Sequence, residues 1–94
     1  MQSELFEWDD EKAARNLRIH EVDFREAATV FEDADAITIP DELHSKDEDR
    51  TITLGMSLLA GILLVVHTER KERIRIISAR RATPTERSQY ESER

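Results

Sequence analysis

The sequence has no cysteine, two glycines, two prolines and only 5% aromatic residues among 94. Without cysteine there is no disulfide framework, no thiolate nucleophile and no thiolate metal site. So little glycine and proline predicts regular elements joined by short connections. The longest apolar run, Ile62-Leu63-Leu64-Val65-Val66, is far too short to cross a bilayer. The first ten residues, MQSELFEWDD, carry neither the basic stretch nor the apolar run of a secretory signal, so the cytoplasm is the expected location. Scarce aromatics and the lack of a broad basic surface argue against a plain RNA-binding module, which needs stacking platforms.

What is present is charge. Hydrophobic residues make up 38% and charged residues 37% of the chain. That composition fits one heavily solvated domain over residues 1–94 with a modest core. The net charge is −7, unevenly spread. Residues 1–60 hold 6 Lys/Arg and 16 Asp/Glu, a net of −10. Residues 61–94 hold 8 and 5, a net of +3. An acidic protein repels polyanions at long range, yet a local basic site still holds a phosphate. The acidic half is either a solvated surface or a face for a basic partner.

The pattern predicts the order β-α-α-β-β-β-β-α. Leu5 to Trp8 alternates as a short strand. Asp9 or Asp10 caps a helix from Glu11 to about Ile19. Asp23 starts a second helix through Phe31, with Glu26 at capping-box spacing. Strands follow at Ala36 to Pro40, Arg50 to Gly55, Ile62 to Thr68 and Arg73 to Ser78, with a polar loop from Asp41 to Asp49. Pro84 opens a last helix from Thr83 or Thr85 to about Glu93, and its few apolar residues predict loose attachment. Strands joined by short loops form an antiparallel sheet, with the first two helices covering one face, which is an α+β fold.

The last two strands gather the chemistry. A three-residue loop, Arg70-Lys71-Glu72, sets Glu69 opposite Arg73 and His67 opposite Arg75. His67, Glu69, Arg73 and Arg75 then share the open face, while Leu64, Val66, Ile74 and Ile76 face the helices. A two-residue turn places Glu69 against Ile74 and mixes charges with aliphatics, so the pattern favours the first register. Histidine, carboxylate and arginines suit RNA cleavage without a metal. A base removes the 2′-hydroxyl proton, an acid protonates the leaving 5′-oxygen, and arginine neutralises the phosphate. Cross-strand Glu–Arg pairs are equally ordinary sheet decoration, so the residues alone leave both readings open.

Elsewhere the signals are weaker. Lys12, Asn16 and His20 stand four apart along one helix stripe, following Trp8. They either buttress an active surface or fix local structure, and such residues more often do the latter. His20, His44 and His67 lack metal-ligand spacing, and the Asp41-to-Asp49 loop lacks a calcium-loop pattern, so no metal or cofactor is expected.

The chain resembles the BrnT family of toxins of bacterial type II toxin–antitoxin systems. The resemblance rests on Phe6-Glu7-Trp8-Asp9, Lys12-Ala13, Asn16, His20, Val22, Phe24, Ala27-Ala28, Val30-Phe31 and Asp33. It continues through Thr68-Glu69-Arg70, Ile74-Arg75-Ile76-Ile77-Ser78-Ala79-Arg80, Ala82, Glu86-Arg87 and Tyr90. It implies a RelE-like fold and a ribonuclease that arrests translation. It also implies a partner, a BrnA-type antitoxin whose ribbon-helix-helix part binds the operon's promoter, so DNA is met only through the antitoxin. Catalytic positions carried over by the resemblance are Glu69, Arg70, Arg75 and Arg80, then His67, with Arg73 and Arg81 contacting RNA. The family usually has glycine where Glu21 stands, so the first helix is expected to exit differently here. The alternative role is a non-catalytic partner and co-repressor of the antitoxin.

Overall fold

A computed structural model of the chain describes residues 1–44, 46 and 49–93. The elements are β1 (Phe6–Glu7), α1 (Asp10–His20), α2 (Phe24–Ala28), β2 (Ile37–Pro40), β3 (Thr51–Met56), β4 (Ile62–Arg70), β5 (Arg73–Arg81) and α3 (Pro84–Ser92). Short 3₁₀ turns follow α2 (Thr29–Glu32) and β2 (Glu42–His44). The α+β class and the element order are those read from the sequence. The expected polar loop at Asp41 to Asp49 lies partly outside the described residues, at Ser45, Asp47 and Glu48.

The five strands form one sheet in the order β1-β5-β4-β3-β2. From β2 to β5 the pairing is antiparallel, as expected, but β1 joins β5 in parallel through Phe6–Ile74 and Glu7–Arg75. The sheet is therefore mixed. Beyond that pair, Asn16 takes over the outer edge of β5. Its Nδ2 donates to the Ala79 carbonyl at 2.8 Å, and its Oδ1 accepts from the Ala79 N–H at 3.1 Å. The same Nδ2 donates to the Val22 carbonyl at 3.0 Å. One buried amide thus satisfies a strand edge and ties it to the entry of α2.

The helices begin where their caps dictate. Asp9 Oδ1 accepts from Glu11 and Lys12 N–H groups, which opens α1. Asp23 accepts from Arg25 N–H and opens α2. The expected Asp23–Glu26 capping box is absent. Glu26 instead accepts from the N–H groups of Leu59 and Ala60 in the β3–β4 turn, clamping α2 to that hairpin. Glu21 adopts φ 59° and ψ 29°, and its N–H donates to the Leu17 carbonyl. The exit of α1 is therefore left-handed after all. Cap geometry wins over the intrinsic cost of about 1 kcal/mol for a non-glycine residue there.

The core has two parts, one on each sheet face. Trp8, Val22, Phe24, Ala27 and Val30 pack on Leu63, Val65, Ile76 and Ala79 beneath α1 and α2. On the other face, Tyr90 of α3 packs with Leu54 and Ile62, flanked by Ile37, Leu64 and Ala82. Contrary to the expectation of loose attachment, α3 is well anchored. Thr83 and Glu86 form a reciprocal capping box, Tyr90 is 2% exposed, and its hydroxyl donates to Asp33 Oδ2 at 2.6 Å. The same Asp33 oxygen accepts from Met56 N–H at 2.8 Å. Among the described residues no helix is long and apolar enough to cross a membrane.

Candidate active site

The β4–β5 hairpin decides which side chains meet, and its register differs from the expected one. Arg70 pairs with Arg73, Glu69 with Ile74, Thr68 with Arg75 and His67 with Ile76. The turn has two residues, Lys71 (φ 50°) and Glu72 (φ 68°), both left-handed. Two successive left-handed residues make the tight hairpin turn whose twist matches the strands. A β-bulge between Val66 and His67 then shifts the pairing, so Val66 faces Ser78 and Val65 faces Ala79.

This register divides the expected patch between the two faces. His67 and Glu69 lie on the side of α1 and α2, and Arg73 and Arg75 lie on the other. Val65 packs toward the helices, whereas Leu64 and Val66 face away from them, which corrects the expected assignment of those two residues. The alternation holds because opposed residues share a face. Glu69 shares its face with Ile74, whose parallel partner Phe6 packs on the helix-side core. Glu69 remains exposed because it lies near the hairpin tip.

His67 is 7% exposed. Its Nε2 is 2.7 Å from Thr53 Oγ1, which in turn is 2.9 Å from Thr38 Oγ1. Its ring meets Phe31 edge-to-face with centroids 4.8 Å apart. Burial pushes its pKa down from 6.5 to about 4, because desolvation disfavours the imidazolium. Nδ1 is buried and has no hydrogen-bond partner in the structure, so a proton there stays uncompensated.

On the opposite face the arginines form a row. Arg75 donates to Glu7 Oε2 at 2.8 Å. That hydrogen bond holds the Glu7 carboxyl below its usual range against the opposing effect of burial, with a further lowering from Arg70. Arg73 Nε donates to the Ser3 carbonyl at 2.7 Å. Arg80 makes a bidentate pair with Glu86, at 2.8 and 2.9 Å. The pair raises the Arg80 pKa and lowers that of Glu86, burial opposing both shifts. Glu86 also accepts from Thr83 N–H, so the helix cap orients the carboxylate that orients Arg80. Arg81 points the other way. It lies opposite Leu63, and its guanidinium donates to the His20 carbonyl at 3.4 Å, beside the C-terminus of α1.

The sequence reading overlooked the two carboxylates that fix the arginines. Glu86 carried a signal, since Thr83-Pro84-Thr85-Glu86 is a capping box that begins three residues after Arg80. Glu7 stands in the Phe6-Glu7-Trp8-Asp9 segment of the resemblance, but nothing local points it to Arg75, since only the parallel β1–β5 pair brings the two together. Of the α1 stripe, Trp8 enters the core and Asn16 bonds the strand edge, whereas Lys12 and His20 line an open cleft beside β5. Among the described residues, no three His, Asp or Glu side chains converge as a metal site requires.

Comparison with known proteins agrees with this architecture. Residues 8–86 match the family model described as the ribonuclease toxin BrnT of type II toxin–antitoxin systems. No curated protein matches the chain. The fold is similar to the 1.1 Å crystal structure of the Brucella abortus ribonuclease toxin BrnT. The TM-score is 0.65 at 22% identity, covering 84% of this chain and 97% of that one.

Proposed function

Because this chain belongs to the BrnT family of ribonuclease toxins of type II toxin–antitoxin systems, we propose that it arrests translation by cutting RNA on the arginine-bearing face of its sheet, without a metal ion. As a toxin of this type it has an RNA substrate and an antitoxin partner. We take that partner to be a BrnA-type antitoxin with a ribbon-helix-helix part, and the cytoplasm to be where both act.

The observation that carries this reading is the row of Arg70, Arg73, Arg75 and Arg80 on one face, with Arg75 held by Glu7 and Arg80 by Glu86. An arginine held in place before substrate arrives spends little reorganisation when charge builds on a phosphate. Arg75 and Arg80 stabilise the phosphorane-like transition state, and Arg70 and Arg73 hold the RNA backbone. RNA supplies its own nucleophile: the 2′-hydroxyl loses its proton, its oxygen bonds to phosphorus, and the 5′-oxygen leaves with a proton. The products are a 2′,3′-cyclic phosphate and a 5′-hydroxyl. Glu69 stands on the opposite face of the sheet from that row, so solvent water takes the 2′-hydroxyl proton and a water molecule protonates the leaving 5′-oxygen. His67 shapes the strand from beneath Phe31 and takes no proton from substrate. Arg81 contributes at the end of α1 by holding its carbonyl in place.

The test is induction of the chain alone, beside Arg75→Ala and Arg80→Ala at equal expression, with growth and bulk translation followed. Arrest by the wild type that both variants lose supports the proposal. A folded, soluble wild type that arrests nothing points to the non-catalytic co-repressor role instead.

A further inference from the structure

The connection between β2 and β3 is laid over the arginine-bearing face. Asp41 N–H donates to the Arg50 carbonyl at 2.8 Å and closes its base. The Thr68 hydroxyl of β4 donates to the Asp49 carbonyl at 2.7 Å. Thr68 is the residue opposite Arg75, so this bond ties the connection to the arginine side of the sheet. The 3₁₀ turn Glu42–His44 borders a cavity of about 440 Å³ there. Ile52, Leu64 and Val66 form an apolar floor, and Ser78, Arg80 and Glu86 form the wall toward the arginine row.

One imidazole at this cavity is held by a carboxylate. Nδ1 of His44 lies 3.1 Å from each oxygen of Asp41. Asp41 is 7% exposed, whereas the His44 side chain is 66% exposed. A carboxylate only accepts hydrogen bonds, so Nδ1 carries the hydrogen and Nε2 is left to exchange a proton with water. The other titratable groups facing the cavity are His20, Arg80 and Glu86. Glu86 is held ionised by its bidentate bond to Arg80, so it has no proton to give, and Arg80 keeps its own. The His20 ring has no carboxylate to orient it among the described residues. His44 is therefore the one group here that is both oriented and able to gain and lose a proton.

We infer that His44, oriented by Asp41, is the proton source for RNA cleavage, delivering its Nε2 proton through the water molecule that protonates the leaving 5′-oxygen. The inference rests on the ribonuclease reading and deepens it. The bond from the 2′-oxygen to phosphorus forms, and the bond from phosphorus to the 5′-oxygen breaks. The electron pair of the broken bond takes a proton from the bridging water, and that water takes one from Nε2. His44 is left neutral, with its Nδ1–H still on Asp41, and regains its proton from solvent. Arg80, in the wall of the same cavity, meets the charge on the phosphate while this happens. Imidazole suits the task because it gains and loses a proton near neutrality.

The experiment separates proton delivery from every other contribution. A short RNA is made in two forms, with oxygen or with a bridging 5′-sulfur at the bond that is cut. A thiolate leaves without a proton, so the sulfur form needs no acid but still builds charge on its phosphate. Purified wild type, His44→Gln, His20→Ala and Arg80→Ala are assayed on both near neutral pH. His44 is mostly exposed, so its replacement leaves the fold in place, which thermal unfolding checks. His44→Gln is expected to lose about 10²-fold on the oxygen form and less than about threefold on the sulfur form. Arg80→Ala is expected to lose about 10²-fold on both. His20→Ala, which removes the other imidazole of the cavity, stays within about twofold of wild type on both. An equal loss on the two forms in His44→Gln overturns the inference, because it marks a role in placing RNA. A loss confined to the oxygen form in His20→Ala also overturns it, because the proton then comes from His20. If wild type and His44→Gln cut the oxygen form at the same rate, the proposed function stands and only the role of His44 falls. Wild type that cuts neither form overturns both.

Discussion

Acidification from pH 7 to pH 4.5 separates a structural His67 from a catalytic one. In the unfolded chain the imidazole titrates near 6.5, and in the folded protein near 4. The folded state therefore favours the neutral ring. The stability this contributes is complete above the unfolded value and is lost as pH falls from 6.5 toward 4. A shift of this size corresponds to at most about 3 kcal/mol, and to about 2 kcal/mol after allowance for solvent screening of a partly wet site. Glu7, Asp9 and Glu86 have lowered pKa values, so they too lose stabilisation on acidification. The difference between wild type and His67→Gln isolates the imidazole. Glutamine keeps a polar group for Thr53 but has no proton to gain. It gives up the edge-to-face contact with Phe31, worth roughly 1 kcal/mol at neutral pH. Urea unfolding at pH 7 and pH 4.5 is expected to show wild type losing about 2 kcal/mol more than His67→Gln. RNA cleavage by the variant at pH 7 stays within severalfold of wild type. Equal pH dependence in the two proteins, together with a hundredfold loss of cleavage in a folded His67→Gln, refutes the reasoning.

Other substitutions test the remaining joints. Asn16→Ala strands the Ala79 N–H and two carbonyls, and is expected to destabilise by roughly 3 kcal/mol or more in chemical denaturation. Glu21→Gly relieves the left-handed exit of α1 and raises stability by about 1 kcal/mol, seen as an increase in Tm. Tyr90→Phe removes one hydrogen bond to the Asp33 carboxylate, and lowers stability by about 2 kcal/mol while leaving the packing of α3 on Leu54 and Ile62 in place.

The elements themselves were legible because their signals are local. Asp9, Asp23 and Thr83 sit at helix starts, and alternation marks β3 and β5. What was not legible arises from pairs distant in sequence and from one turn. Lys71-Glu72 lacks the glycine or asparagine that normally announces a two-residue hairpin, so the longer loop fitted the charge pattern better. That choice placed His67 and Glu69 on the arginine face. The bulge that follows has no composition cue at all, yet it decides that Ser78 and Arg80 align with Arg75. Asn16 meets Ala79 across 63 positions and Glu7 meets Arg75 across 68, so both contacts emerge only when the sheet assembles. The resemblance pointed to Arg75 and Arg80 without their partners, and the partners are what make those arginines fixed groups.

The most direct test of the central claim is cleavage of a defined single-stranded RNA by the purified chain in the presence of EDTA. Wild type is compared with Arg75→Ala and Arg80→Ala of matched thermal stability, and the new ends are identified. The account predicts cleavage that survives EDTA, leaves 2′,3′-cyclic phosphate ends, and falls about 10²- to 10³-fold in each variant. Cleavage abolished by EDTA, or retained at full rate in both folded variants, contradicts it.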